Sequence, residues 1–325
     1  MRTFFSTHWK SILVLVILVL VAIFTMTPGA ATPELAARLR AHVQAIATSE
    51  PNTATPAELE RAARHIESAL AAQGYQVRLQ QYKVGGQRVR NIEASVANVD
   101  VHARPERIFI VGAHYAPAPE SPGANDNGSG TAAVLELARL LRQMQPARGT
   151  EVKFVFFVNE EAPSFVGVQR DSMRHAHALR REAHKVDGAP VLKAVGRYAQ
   201  ARGGQRPASE LEGGYPDSGN FIAFFGTRAS SALVRQALAA FRGGAELPAE
   251  GLAAPSYVEG VTLSDHAMYN RAGYPALVIT DTAFLRYPYF HTSQDDEDKF
   301  DYEGMARVVK GLARTIGALA GGSKT

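Results

Sequence analysis

Four stretches of this chain are almost unbroken runs of apolar residues: RIFIVGAHY from Arg107, EVKFVFFVNEE from Glu151, NFIAFFGT from Asn220 and YPALVITDT from Tyr274. A strand with one wet face alternates apolar and polar side chains, whereas a strand covered on both faces does not need to. Segments between the runs carry helical spacing instead. Val134, Leu137, Ala138 and Leu141 fall on one helical face, as do Met305, Val308, Leu312, Ile316 and Leu319. Alternating buried strands and amphipathic helices predict an α/β fold, with a mixed, mainly parallel central sheet flanked by helices. GYQVRLQQYKV and residues 92–96 alternate in polarity and predict an antiparallel pair at a sheet edge. TPELAARLRAHVQAIA and TPAELERAARHIESALAAQ read as helices, each with Thr as cap and Pro at the first helical position. The 325 residues show no repeat, linker or low-complexity tract after residue 31, so residues 32–325 are expected to form one domain.

Sheets of this kind bind ligands beyond the carboxyl ends of their strands. His114, Glu160, Glu161 and Asp281 all fall at such ends. Asp126 follows in the loop GAHYAPAPESPGANDNGSG, and His291 lies just beyond the last apolar run, in YPYFHTSQDD. Asn-Asp-Asn is also good turn and cap chemistry, so Asp126 alone has two readings. Two adjacent carboxylates at a buried strand end are costly unless something positive pairs with them. The chain has no cysteine, which excludes disulfides, thiolate metal sites and a cysteine nucleophile. A metal here must be held by His, Asp and Glu. Two imidazoles, an aspartate and a glutamate form a nitrogen and oxygen set suited to zinc. A further glutamate beside a ligand could take a proton from the attacking water and deliver it to the leaving amine. The net charge of +4 comes from scattered basic residues, densest over residues 170–206. Without an aromatic-interleaved basic stripe, no nucleic-acid partner is expected.

Residues 11–26, SILVLVILVLVAIFTM, are uncharged and apolar, and Arg2 and Lys10 precede them. That pattern predicts an N-terminal hydrophobic helix within residues 1–31, recognised for export. Its length lies between a signal-peptide core and a full span. A single-pass membrane anchor and a cleaved signal therefore both remain open, the small residues Gly29, Ala30 and Ala31 offering a cleavage site. Either one places the rest of the chain outside the cytoplasm, at the membrane or secreted.

Four blocks, GAHY…PGANDNGSGTAAVLELARLL, FVFFVNEEAPSF, LSDHAMYNRAGYPALVITDTAF and YFHTSQDDEDKFDYEGMARVVKGL, resemble the zinc exopeptidases of metallopeptidase family twenty-eight. The resemblance runs from about residue 57 to residue 320, with the blocks in the family's order. It implies the zinc-exopeptidase (phosphorylase/hydrolase-like) fold, peptide substrates and hydrolysis of the aminopeptidase type. It also implies that His114, Asp126, Glu161 and His291 bind metal, that Asp126 bridges two zinc ions, and that Glu160 is the general base. Asp265, in SDH, matches an acid lining the pocket of the relatives.

Three positions depart from the family pattern. Ala116 stands where the family has an acid supporting the first histidine, and Asn125 where it has the first acid of PGADDN. Lys193, in LKAVGRYAQ, stands where it has a fifth, acidic metal ligand. The expectation is therefore one zinc ion, at Asp126, Glu161 and His291, with the Lys193 ammonium close to Asp126. Two alternatives follow from the same departures: a catalytically impaired peptidase-like binding protein, and a mono-zinc acyltransferase resembling the glutaminyl cyclases. Nothing in the sequence sets an oligomeric state.

Overall fold

A computed structural model of the chain describes residues 33–47, 50–84, 86–158, 171–206, 216–258, 260–262 and 264–322. The strands are β1 Arg78–Val84, β2 Gln87–Asn98, β3 Arg107–His114, β4 Thr150–Phe157, β5 Val186–Leu192, β6 Ile222–Thr227, β7 Ala249–Ala254 and β8 Ala276–Thr280. They form one sheet in the order β1-β2-β4-β3-β5-β8-β6-β7. β4, β3, β5 and β8 are consecutive parallel neighbours, and β6 and β7 form a second parallel pair. β1 with β2, β2 with β4, and β6 with β8 are antiparallel. The expected antiparallel pair at the sheet edge is thus present as β1 and β2.

The apolar runs have the reason inferred for them. Along β3, Phe109, Val111 and Ala113 enter one core, while Ile108 and Ile110 enter a second core on the opposite face. β4 divides in the same way, with Phe154 and Phe156 on one side and Val155 and Phe157 on the other. Successive side chains of a strand point to opposite faces, so a strand between two cores must be apolar throughout. The first core is closed by helices α1 Pro33–Ile46, α2 Pro56–Ala72, α3 Gly130–Leu140, α5 Ser231–Arg242 and α7 Tyr302–Leu319. Helices α4 Asp171–Arg181 and α6 His266–Arg271 close the second. Met305, Val308, Leu312 and Ile316 form the buried stripe of α7, at the predicted spacing.

Several expectations are corrected or fall elsewhere. β5 and β7 are not among the runs singled out in the sequence. β5 reads VDGAPVL, and a proline inside a central strand ordinarily argues against one. β7 reads AEGLAA, too short and alanine-rich to show a pattern. Thr55 precedes α2 but does not cap it with its side chain. Its hydroxyl is taken by the preceding turn, where it donates to the Glu50 carbonyl and accepts from the Asn52 N–H. The hydrophobic N-terminal helix predicted over residues 11–26 lies outside the described residues. Among the described residues no helix is long and apolar enough to cross a membrane.

Candidate metal centre

The four consecutive parallel strands end at one edge of the sheet, and each carries a candidate residue at or just past its end. β3 ends on His114, Lys193 follows β5, and Asp281 follows β8. The chain leaving β4 carries Glu160 and Glu161, which lie outside the described residues. Asp126 reaches the same edge from the loop between β3 and α3, and His291 from the segment before α7. His114, Asp126 and His291, far apart in sequence, are brought together.

Asp126 is the hub of this cluster and is almost fully buried. His291 Nε2 lies 2.8 Å from its Oδ2, and Lys193 Nζ 3.2 Å from the same oxygen. His114 Nε2 lies 3.4 Å from Oδ1. Lys193 is only 7% exposed, although lysine is seldom buried. Its ammonium also sits 5.8 Å from the centroid of the Phe290 ring. The expected contact between Lys193 and Asp126 is therefore present. His291 stacks on Phe290 with ring centroids 3.9 Å apart, which holds its imidazole against the carboxylate.

The loop around Asp126 is held by backbone donors and amide side chains. Asp295 accepts the N–H groups of Asn125 at 2.9 Å and Asp126 at 3.1 Å. Asn127 Oδ1 accepts from the N–H groups of Gly130 and Ala194, both at 3.1 Å, and its Nδ2 donates to the Leu192 carbonyl at 2.8 Å. This amide ties the Asp126 loop to the end of β5. Two of the loop's glycines are required by it. Gly123 has φ +68°, a left-handed conformation costly for residues with a side chain. At Gly130 a Cβ would come within 2.1 Å of Asn127 Oδ1, so only glycine lets that amide turn back.

The departures from the family pattern have local physical accounts. Asn125 Nδ2 donates to Asp281 Oδ2 at 3.1 Å, while its Oδ1 accepts from the Gly196 N–H at 3.1 Å. An aspartate at 125 would instead set a second carboxylate against a buried one. Burial pushes the Asp281 carboxyl up to about 6, outweighing Arg286 and the Ala283, Asn125 and Arg197 donors. Asp295 is raised further, to about 7, by burial and the nearby Asp126 charge, against its two backbone donors and Tyr287. A different acid approaches His114 from another element, without hydrogen-bonding to it. Asp265, buried at the start of α6, places Oδ2 3.6 Å from His114 Nδ1, which also faces Asn127 Nδ2 at 3.3 Å. Its neighbour Ser264, rather than Asp265, lines the cavity described below. Asp295 was not singled out in the sequence. Its neighbours Asp296 and Asp298 lie outside the core, paired with Lys299.

The donor types suit zinc: imidazole nitrogens and carboxylate oxygens. Bonds of about 2.0–2.1 Å in a tetrahedral site put neighbouring donors about 3.3 Å apart. The separation of 3.4 Å between His114 Nε2 and Asp126 Oδ1 matches that edge for an ion held by His114 and Asp126, His114 standing outside the Asp126, Glu161 and His291 set. The 2.8 Å contact of His291 is a hydrogen bond that an ion between the two atoms would open. Among the described residues no three His, Asp or Glu side chains converge to hold an ion by themselves. Glu161, outside the described residues, is the further donor the sequence offers.

Beside the cluster lies a cavity of about 300 Å³, lined by Lys193 and His291 on one side. Phe225, Val278, Phe284, Leu285 and Phe290 form much of its remaining wall. It is a mainly apolar pocket that meets the cluster at Lys193 and His291.

Comparison with known proteins agrees with this arrangement. The sequence profile of Peptidase family M28 matches residues 95–316. An uncharacterised protein of Escherichia coli K12, YfbL, is 35% identical over 256 residues, covering 76% of this chain and 76% of its own. Aminopeptidase YwaD of Bacillus subtilis is 34% identical over 95 residues, 29% of this chain and 18% of its own length. Among solved structures, the LapA aminopeptidase of Legionella pneumophila superposes with a TM-score of 0.69 at 19% identity, covering 90% of this chain and 74% of that one. The Fimbriiglobus ruber glutaminyl cyclase superposes with a TM-score of 0.63 at 22% identity, covering 86% and 94%. At such identities the superpositions establish a shared fold and do not separate hydrolysis from cyclisation. The profile spans most of the chain and takes in the whole of the cluster, and YfbL aligns over three quarters of both proteins. This chain belongs to peptidase family M28.

Proposed function

We propose that the chain is a zinc-dependent aminopeptidase that removes apolar residues from the N-termini of peptides. The observation that carries this reading is the apolar cavity of about 300 Å³ opening onto Lys193 and His291 beside Asp126. In this reading an apolar side chain would lie against Phe225, Val278 and Phe290 and the adjoining peptide carbonyl would reach the Asp126 cluster. Asp126, Glu161 and His291 would hold one zinc ion. Bound there, zinc supplies Lewis acidity that brings a water pKa down to about 7 and polarises a carbonyl. Glu160 accepts the proton of the attacking water and passes it to the leaving amine. His114, backed by Asp265 and Asn127, holds the other Asp126 oxygen.

Purified zinc-loaded protein should release free amino acids from unblocked peptides and none from N-acetylated ones. Burying a leucine or phenylalanine side chain is worth about 1.5–3 kcal/mol. Peptides beginning with leucine should therefore be cleaved with a kcat/KM at least about 10-fold above those beginning with glycine. One observation favours a second reading, a peptidase-like binding protein: the Lys193 ammonium sits on the carboxylate a metal would use. Binding of these peptides without any amino-acid release would select it.

We further propose that residues 1–31 direct the domain of residues 32–325 out of the cytoplasm, as anchor or cleaved signal. The support is Arg2 and Lys10 before the apolar run. A reporter fused after Ala31 should be active only on the non-cytoplasmic side, and cytoplasmic activity would reject the placement.

A further inference from the structure

Lys193 has more to explain than a lost ligand. A lysine at the end of a central strand, 7% exposed, is costly unless its charge is used or matched. Its position is well determined. The backbone N–H donates to the Ile279 carbonyl at 3.1 Å, continuing the β5–β8 ladder. Nζ is held 3.2 Å from Asp126 Oδ2, and the Phe290 ring lies 5.8 Å away, within reach of cation–π attraction. The side chain also lines the cavity, together with His291. Asp126 Oδ2 is shared by Lys193 and His291, so the ammonium stands beside the imidazole where the mainly apolar pocket meets the cluster.

We propose that Lys193 is a catalytic residue. Its ammonium donates a hydrogen bond to the substrate carbonyl oxygen as that oxygen gains negative charge, a part otherwise open to a second dication. The proposal rests on the peptidase reading. An ammonium carries three N–H donors, so it can serve the substrate as well as the groups that hold it. A cation fixed in a water-poor site stabilises developing charge without reorganising, and such donors are worth about 100- to 1,000-fold in turnover. In the reaction the water oxygen bonds to the carbonyl carbon, the carbon–nitrogen bond breaks, and the proton travels by way of Glu160 to the leaving amine. Lys193 keeps its own protons throughout.

Two probes separate this role from simple neutralisation of Asp126. The phosphonic acid analogue of leucine presents an anionic tetrahedral group where the oxyanion forms, and leucinol presents none. Their affinities are measured by calorimetry on zinc-loaded wild type, Lys193→Met and Lys193→Arg, with zinc content determined in each. In Lys193→Met, zinc should be retained, leucinol affinity should stay within about threefold, and phosphonate affinity should fall about 100-fold. Turnover should fall by a similar factor at nearly constant KM, and Lys193→Arg should recover part of both. Phosphonate affinity unchanged in Lys193→Met, or an equal loss for both ligands, overturns the role while leaving the hydrolase reading in place. Failure of that reading looks different: wild-type protein then binds neither probe and cleaves no peptide, which removes the proposal with it.

Discussion

Glu160→Gln should lower turnover by about 100- to 10,000-fold, the usual worth of a positioned general base, while zinc content remains that of the wild type. The amide keeps the shape of the carboxylate and can still accept a hydrogen bond, but it cannot take the proton of the attacking water. Steady-state kinetics and metal analysis on one preparation check this. Loss of zinc in this variant would mean that Glu160 is the ligand and Glu161 the base. The edge to which β4 leads, where β3, β5 and β8 also end, is the reason the pair is assigned to this chemistry.

Asp126→Ala should abolish both zinc binding and detectable activity. Among the described residues, Asp126 is contacted by His114, His291 and Lys193 alike. Removing it takes from the buried Lys193 ammonium the carboxylate 3.2 Å away, and breaking a buried pair in this way costs about 3–5 kcal/mol. At about 2–4 °C per kcal/mol in a chain this long, the melting temperature should fall by about 10 °C. The double variant Asp126→Ala, Lys193→Met should regain much of that stability but neither zinc nor activity, because it removes the buried charge without restoring the ligand. A single variant that keeps zinc would show that the ion is held elsewhere.

The legible part of this protein follows from burial. Strands sandwiched between two cores must be apolar along their length, so FVFFV and RIFIV stand out as β4 and β3. β5 does not, because Gly188 and Pro190 interrupt it. Candidate ligands could be found because charged or imidazole side chains at the ends of such runs are conspicuous. What holds them was not legible. Asp295 works through its carboxylate on two backbone N–H groups, and Asn127 through its amide on Gly130, Ala194 and Leu192. Contacts to backbone impose no residue pattern on the partner. Asp265 shows the same limit from the other direction. His114 was expected to lack its supporting acid because Ala116 stands beside it in sequence, yet α6 brings an acid to 3.6 Å of the imidazole from 151 positions away.

We propose that Lys193 limits the metal content. At an effective dielectric constant of 20, a unit charge and a dication about 4 Å apart interact by roughly 8 kcal/mol, attractive for a carboxylate and repulsive for an ammonium. Even a quarter of that, about 2 kcal/mol, weakens a second ion some 30-fold. The ammonium lies 3.2 Å from Asp126 Oδ2, the oxygen His291 also contacts, so a zinc held by Asp126 and His291 already has a cation beside it and a second dication is disfavoured; the site should hold one tight zinc. The most direct measurement is zinc per chain after exhaustive dialysis, on wild type and on Lys193→Glu. The account predicts one ion in the wild type and two in the variant; two ions in the wild type, with Lys193 in place, would contradict it.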